Sequence, residues 1–298
     1  MIGQHTLKRF FKRAAGRAAV VMEPLTYRPA YPRACIFFYH RVADIGFIDP
    51  HSDDWNVPPS TFERQIASLA EFADVVALLD LPAKLKSASP VTKPLVALTF
   101  DDGYANFYTQ VLPVLKRYRI PATLFVITSM IGRTEPMPFD RWSQRNRNRV
   151  SGEAWRPISW PELEACLDSG IISIGSHSHQ HLKGSDCSPA MFVEEAERSN
   201  EFLRARLGQA QALAYSYPYG NTSLGHVSPE YVTAVRNAGY KLAVTTDLGL
   251  ASQESDPYLL PRVEAHALDA SAVLRAKALG VLAPYHLAYG LRIANNFV

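Results

Sequence analysis

The sequence predicts an α/β fold with a largely parallel sheet, and three observations carry that prediction. Short apolar runs rich in branched and aromatic residues alternate with amphipathic segments of helical period along most of the chain. Two of those runs end in chemistry-bearing side chains, which is where α/β folds place their sites. At 298 residues and 47% hydrophobic content, with no low-complexity tract or repeat, the chain suits one large domain with additions.

Taken in order, residues 34–42 form the first predicted strand, with His40 near its end. The stretch 43–59 holds Asp44, Asp49, His51, Asp53, Asp54 and Trp55, and its polarity predicts a solvated loop. Phe62, Ile66, Leu69 and Phe72 give a helix face behind a Ser60-Thr61-Phe62-Glu63 cap, and 75–79 reads as a short strand. Residues 96–100 are a buried strand that stops at Asp101 and Asp102. Phe107, Val111, Leu115 and Tyr118 predict a helix that Pro113 must kink or restart, followed by a strand over 121–127. Further helices are expected over 160–167, 189–207 and 227–238, and further strands over 171–176, 213–217, 241–246 and 259–263. The last segment is alanine- and leucine-rich and reads as helical up to Pro284, too short and interrupted to span a bilayer.

Asp101 and Asp102 are adjacent carboxylates at a strand end, and each would need a cation, a metal or several donors if removed from water. An ordinary Asp-Gly turn explains them equally well when they are taken alone. About 75 residues on, a second strand runs into His177-Ser178-His179-Gln180-His181, three imidazoles in five residues. Two histidines and one carboxylate make a site that can hold zinc, iron, cobalt or nickel and activate water, leaving the second carboxylate free as a base.

The motifs Thr99-Phe100-Asp101-Asp102-Gly103, His177 to His181 and Ser216-Tyr217-Pro218-Tyr219-Gly220 resemble the polysaccharide deacetylases with the NodB homology domain, carbohydrate esterase family four. The resemblance implies a distorted, incomplete (β/α) barrel and a metal-dependent N-deacetylase acting on amino sugars of a bacterial polysaccharide or its precursor. It implies Asp102, His177 and His181 as metal ligands, Asp101 as base, a water activated at the metal as nucleophile, and the Tyr219 backbone N–H as oxyanion donor. The cofactor it implies is a divalent metal, zinc first, with cobalt, nickel or iron as alternatives. Trp160, Pro218 and Arg262 are the candidate substrate contacts, and Arg262 is also placed to reach an acid of the site. Ser216 stands where the family carries an arginine that orients the base, which questions the base and not the metal site. No histidine sits in a clear C-terminal motif, although His266 and His286 are candidates. His40 at the end of the first strand is similar to the circularly permuted exopolysaccharide branch, so His40 is assigned as general acid.

Residues 1–33 carry seven cations against Glu23, a balance of +6, so the remaining residues carry −3 of the chain's +3. Apolar residues at helical spacing make 1–33 a basic helical leader, with 34–267 the catalytic domain and 268–298 a C-terminal helical segment. Arg17 breaks an already short apolar region, so no signal peptide is read, and a cytoplasmic or inner-membrane peripheral location is expected with export left open. Within the insertion at 133–158, six arginines against three acids, with Trp142 and Trp155, suit an anionic sugar or a solvated loop. The expected partner is an acetylated amino-sugar polymer or a glycolipid precursor, not nucleic acid. The competing reading is a degenerate, noncatalytic sugar-binding domain. Cys35, Cys166 and Cys187 are too few and too scattered for a disulfide framework.

Overall fold

Alternation at period two along the apolar runs decides the architecture. In the computed structural model, described over residues 32–47, 55–87, 93–208 and 211–280, the elements follow one another as β1 (Arg33–Tyr39), β2 (Arg41–Val42), β3 (Asn56–Val57), α1 (Pro59–Phe72), β4 (Asp74–Val75), α2 (Leu81–Lys86), β5 (Leu95–Phe100), α3 (Leu112–Tyr118), β6 (Ala122–Val126), α4 (Arg141–Asn146), α5 (Trp160–Asp168), β7 (Ile172–Ser176), α6 (Pro189–Leu207), β8 (Ala214–Ser216), α7 (Pro229–Asn237), β9 (Leu242–Leu248), β10 (Ala251–Ser252), β11 (Leu260–Glu264) and α8 (Ser271–Ala278). Residues 1–31 of the 1–33 leader, the acids Asp49, Asp53 and Asp54, His51, and 281–298 with His286 lie outside the described residues.

Strands β1, β5, β6, β7, β8, β9 and β11 pair in parallel and close on themselves, because β1 bonds to both β5 and β11. The ring has seven strands, one short of the eight of a (β/α)₈ barrel. It is distorted at its lower end, where β4 pairs with the start of β5 and β10 pairs antiparallel with the start of β1.

Two apolar layers follow from the alternation. Ala34 and Ile36 of β1, Leu95 and Ala97 of β5, Phe125, Ala214, Leu242, Val244 and Leu260 share the cluster inside the ring, closed below by Leu78, Leu81 and Leu85. Cys35, Phe37 and Tyr39, with Val96, Leu98 and Phe100, pack outward against Phe62, Ile66 and Leu69 of α1, Leu115 of α3, Leu163 of α5 and Leu274 of α8. The ring is narrow, and Gly175 on β7 is where it shows: a Cβ there would lie 2.5 Å from the Phe125 ring.

Several boundaries differ from expectation for physical reasons. Helix α1 begins at Pro59, earlier than the Ser60 cap suggests, because a proline in the first turn has no N–H to leave unpaired. The run 75–79 is a strand for only Asp74–Val75 and then turns, since Leu78, Leu81 and Leu85 follow helical spacing to plug the ring. Around Pro113 the chain makes a π-helical turn over Phe107–Val111, where Leu112 N–H donates to the Phe107 carbonyl, and α3 restarts with Pro113 in its first turn. The insertion expected as a loop or partly ordered flap is built around α4 and a 3₁₀ turn at Gly152–Ala154. Helix α8 packs Leu274 and Ala278 into the same outer layer as α1.

Candidate active site and metal centre

The same alternation that points Ala34, Ile36, Leu95, Ala97, Ala214 and Leu260 into the ring also points His40, Asp101, Ser216 and Arg262 inward at its C-terminal mouth. Asp102 is the next residue and would face away, but its φ of +71°, with Gly103 at +72°, turns the chain back over the mouth. His177 follows β7 directly, and its N–H donates to the Val126 carbonyl at 2.9 Å, which continues the ladder into the site.

Asp102, His177 and His181 bring three ligand atoms within 4.8 Å of one another. His177 Nε2 and His181 Nε2 lie 3.4 and 3.5 Å from Asp102 Oδ1. His177 Nδ1 is 2.8 Å from the Ser216 carbonyl, so this nitrogen carries the proton and Nε2 presents its lone pair. Burial works against a charged His177, but Asp101 and Asp102 outweigh it and raise its pKa; the site favours a positive charge at this point. Burial, then His177, pushes His181 down to about 3, so it is a neutral imidazole able to ligate. The donor set, its tautomer and its field all fit a divalent cation.

The loop carrying the histidines is held in an uncommon conformation, with Ser178 at φ +64° and His181 at +63°. Ser176 Oγ accepts from Ser178 N–H at 3.1 Å and Ser178 Oγ from His181 N–H at 2.9 Å. Glu195 of α6, buried, accepts from the backbone N–H groups of His179 and Gln180 at 3.0 and 2.8 Å. Thr128 pairs with His179 Nδ1 at 2.8 Å, so His179 serves the loop and leaves the other two imidazoles to the site. Sequence reasoning missed Glu195, although a carboxylate among Phe192, Ala196 and Ser199 on an apolar helix face was a usable signal.

Arg262 is the largest departure from expectation. It is fully buried and does not line the cleft; as a substrate contact it is withdrawn, because its guanidinium is spent on Asp101. Its Nη1 and Nη2 donate to Asp101 Oδ1 and Oδ2 at 2.9 and 2.7 Å, and its Nε donates to the Thr245 carbonyl at 2.7 Å. Ser216 Oγ donates to Asp101 Oδ1 at 3.3 Å and accepts from Arg262 Nη2 at 3.1 Å. Burial alone would raise the Asp101 pKa, but Arg262 and then His177 overcome it and hold the carboxyl far below the usual range. The arginine absent at Ser216 is thus supplied from β11, two strands away around the ring.

His40 lines the cleft, edge-on to Trp55 at 4.4 Å between ring centroids. Burial lowers its pKa and the carboxylates of Asp102 and Asp101 counter that. His266 is a poor rival, since its Nδ1 accepts from Leu268 N–H at 3.1 Å and it lies off the cleft. Tyr219, at φ +60°, sits on the rim with its ring 5.1 Å from that of His181. Pro218 is buried and does not line the cleft. Trp160 is a correction: as the first residue of α5 it packs outside the ring against Phe202, at 5.7 Å, under Arg206.

The insertion closes one side of a cleft of about 670 Å³. Phe139 stacks on His181 at 3.9 Å between centroids. Asp140 accepts from Arg41 Nη2 and from Tyr104 Oη, each at 2.6 Å, and the Arg41 guanidinium lies between the Tyr104 and Trp142 rings. Trp142 lines the cleft but is largely buried, with the Arg41 guanidinium over its ring.

Residues 88–243, just over half of the chain, match the family described as Polysaccharide deacetylase. The chain belongs to the polysaccharide deacetylase family. It is 26% identical to YxkH of Bacillus subtilis (strain 168) over 80% of this chain and 72% of that one. It is 24% identical to the poly-beta-1,6-N-acetyl-D-glucosamine N-deacetylase of Staphylococcus aureus (strain MSSA476), over 76% of each. The fold is also that of the Streptococcus pyogenes deacetylase PplD, with a TM-score of 0.66 and 23% identity over 82% of this chain and 97% of that one. Among the described residues of this family member, no helix is long and apolar enough to cross a membrane.

Proposed function

We propose that the chain hydrolyses N-acetyl groups on amino sugars of a bacterial polysaccharide or its lipid-linked precursor. The observation that carries this reading is the placement of a clamped carboxylate, Asp101, directly beside the Asp102–His177–His181 donor set at the mouth of the barrel. Family membership and the S. aureus relative's name support the same substrate class.

Asp102, His177 and His181 would hold the cation, zinc first, with cobalt, nickel or iron as alternatives. When bound there, a divalent cation supplies the Lewis acidity that lowers the pKa of an adjacent water, which a base held at so low a pKa needs. Asp101 removes the proton as the water attacks the acetyl carbon; Arg262 keeps it ionised and fixes both its oxygens. The Tyr219 backbone N–H donates to the oxyanion that develops. His40, which lines the same cleft, protonates the leaving amine, without which expulsion of so poor a leaving group would stall.

The test is acetate release from partly acetylated glucosamine oligomers by protein stripped of metal and then reloaded with zinc, cobalt or nickel. Release that appears only on reloading supports the reading. A protein that binds the cation and the oligomer yet frees no acetate from any acetylated glycan would be a sugar-binding domain instead.

A further inference from the structure

We propose that Arg141 and Arg145 form a subsite for an anionic group, carboxylate or phosphate, on the sugar next to the one deacetylated. The inference deepens the deacetylase reading and takes from it which part of the cleft holds the acetyl group.

Helix α4 has two faces. Trp142, Ser143 and Asn146 are buried, and this face is fastened: Asp140 caps Ser143 N–H at 2.9 Å while holding Arg41 and Tyr104. The opposite face carries Arg141, Gln144 and Arg145, exposed, and both arginines line the cleft. Four residues apart, they stand about 6 Å from each other along the helix axis, so their guanidinium groups can converge on one anion.

Charge decides what they meet. Elsewhere in the insertion, Arg147 pairs with Glu135 and Arg156 with Glu162. Among the described residues, neither Arg141 nor Arg145 has a carboxylate partner. The acids that line the cleft are already matched: Asp140 by Arg41, Asp101 by Arg262, and Asp102 by the cation its triad fits. The unmatched charge facing a ligand is therefore positive. Like charges at this spacing work against their own helix, and a shared anion relieves that repulsion. The planar fork of arginine matches carboxylate and phosphate alike. Both arginines line the same cleft as the metal-ligand set, and an N-acetyl group is neutral, so the anion they meet belongs to a neighbouring sugar and not to the acetyl group.

Binding of three hexasaccharides, measured by titration calorimetry on the full chain, tests this. One is neutral N-acetylglucosamine, one alternates N-acetylglucosamine with glucuronate, and one joins N-acetylglucosamine units through phosphodiesters. An anionic oligomer should bind at least about tenfold more tightly than the neutral one, the ratio shrinking as salt rises. Which anion gains names its source. The ratio should fall to about one in Arg141→Ala/Arg145→Ala and be partly kept in Arg141→Lys/Arg145→Lys. Equal binding of all three by the parent, or a preference that survives the double alanine change, overturns the proposal. Binding is read without turnover, so an anionic preference without acetate release would sink the deacetylase reading and leave the subsite standing. Acetate release without that preference would do the reverse.

Discussion

Arg262 holds Asp101 through two parallel hydrogen bonds inside the barrel, with the guanidinium closed off from solvent and the carboxylate only 2% exposed, at the floor of the cleft. Such a pair is strongly interdependent, because removing one partner strands the other charge in a desolvated place. Arg262→Ala is expected to cost about 3–5 kcal/mol of stability, read by denaturant unfolding. Arg262→Lys should keep the charge but lose the fork, lowering kcat more than it lowers the melting temperature.

The position that lacks arginine offers a second test of the same clamp. Ser216 is buried against the Arg262 guanidinium, so Ser216→Arg alone should overpack the ring and destabilise by about 1–3 kcal/mol. The exchange Ser216→Arg with Arg262→Ser should recover part of that loss. If the single change left both stability and turnover at parent levels, the clamp would not be the group that orients Asp101.

The two aspartates are expected to separate cleanly. Asp102→Ala and His181→Ala should lose metal content and acetate release together, whereas Asp101→Asn should keep the metal and lose turnover. Elemental analysis alongside single-turnover kinetics reads both; near-parent turnover in Asp101→Asn would remove the proposed base.

His40→Gln is expected to depend on the leaving group. Amide hydrolysis should fall by roughly 10²–10⁴-fold, while an activated acetyl ester, whose leaving group needs no proton, should change far less. Equal loss on both substrates would argue that His40 positions and does not donate.

Stability towards acid has a component at Glu162. Burial would raise its pKa, but Arg156 and the N–H and hydroxyl of Ser159 outweigh that and hold it at about 2. A depressed folded-state pKa gives stability that is present above the unfolded value near 4.5 and is lost as pH falls towards 2. The pair is partly solvated, so the contribution is about 1 kcal/mol at most. The stability difference between the parent and Glu162→Gln should shrink across that window.

Much of the site was legible because its ligands are local. Asp101 and Asp102 close one strand and His177 to His181 another, and runs such as 96–100 and 171–176 announce themselves by composition. Helix α6 was equally plain, its buried residues Phe192, Ala196, Ser199 and Leu203 recurring at helical spacing. The insertion was not, because the order of α4 comes from Asp140 meeting Arg41 and Tyr104, 99 and 36 residues away along the chain. Trp160 read as a substrate contact for the same reason: an aromatic side chain reads alike in sequence whether it faces a cleft or packs on a neighbour.

The sequence alone therefore determined the alternating elements, the family motifs and the chemistry available at two strand ends, since propensity and period act over a few residues. Tertiary structure alone decided what those groups became. Closing seven parallel strands into a narrow ring brought Arg262 within hydrogen-bonding distance of an aspartate 161 residues earlier, and excluded the water that would have weakened their attraction. A charge pair formed across a ring depends on register and closure, and neither is written in the residues that make it.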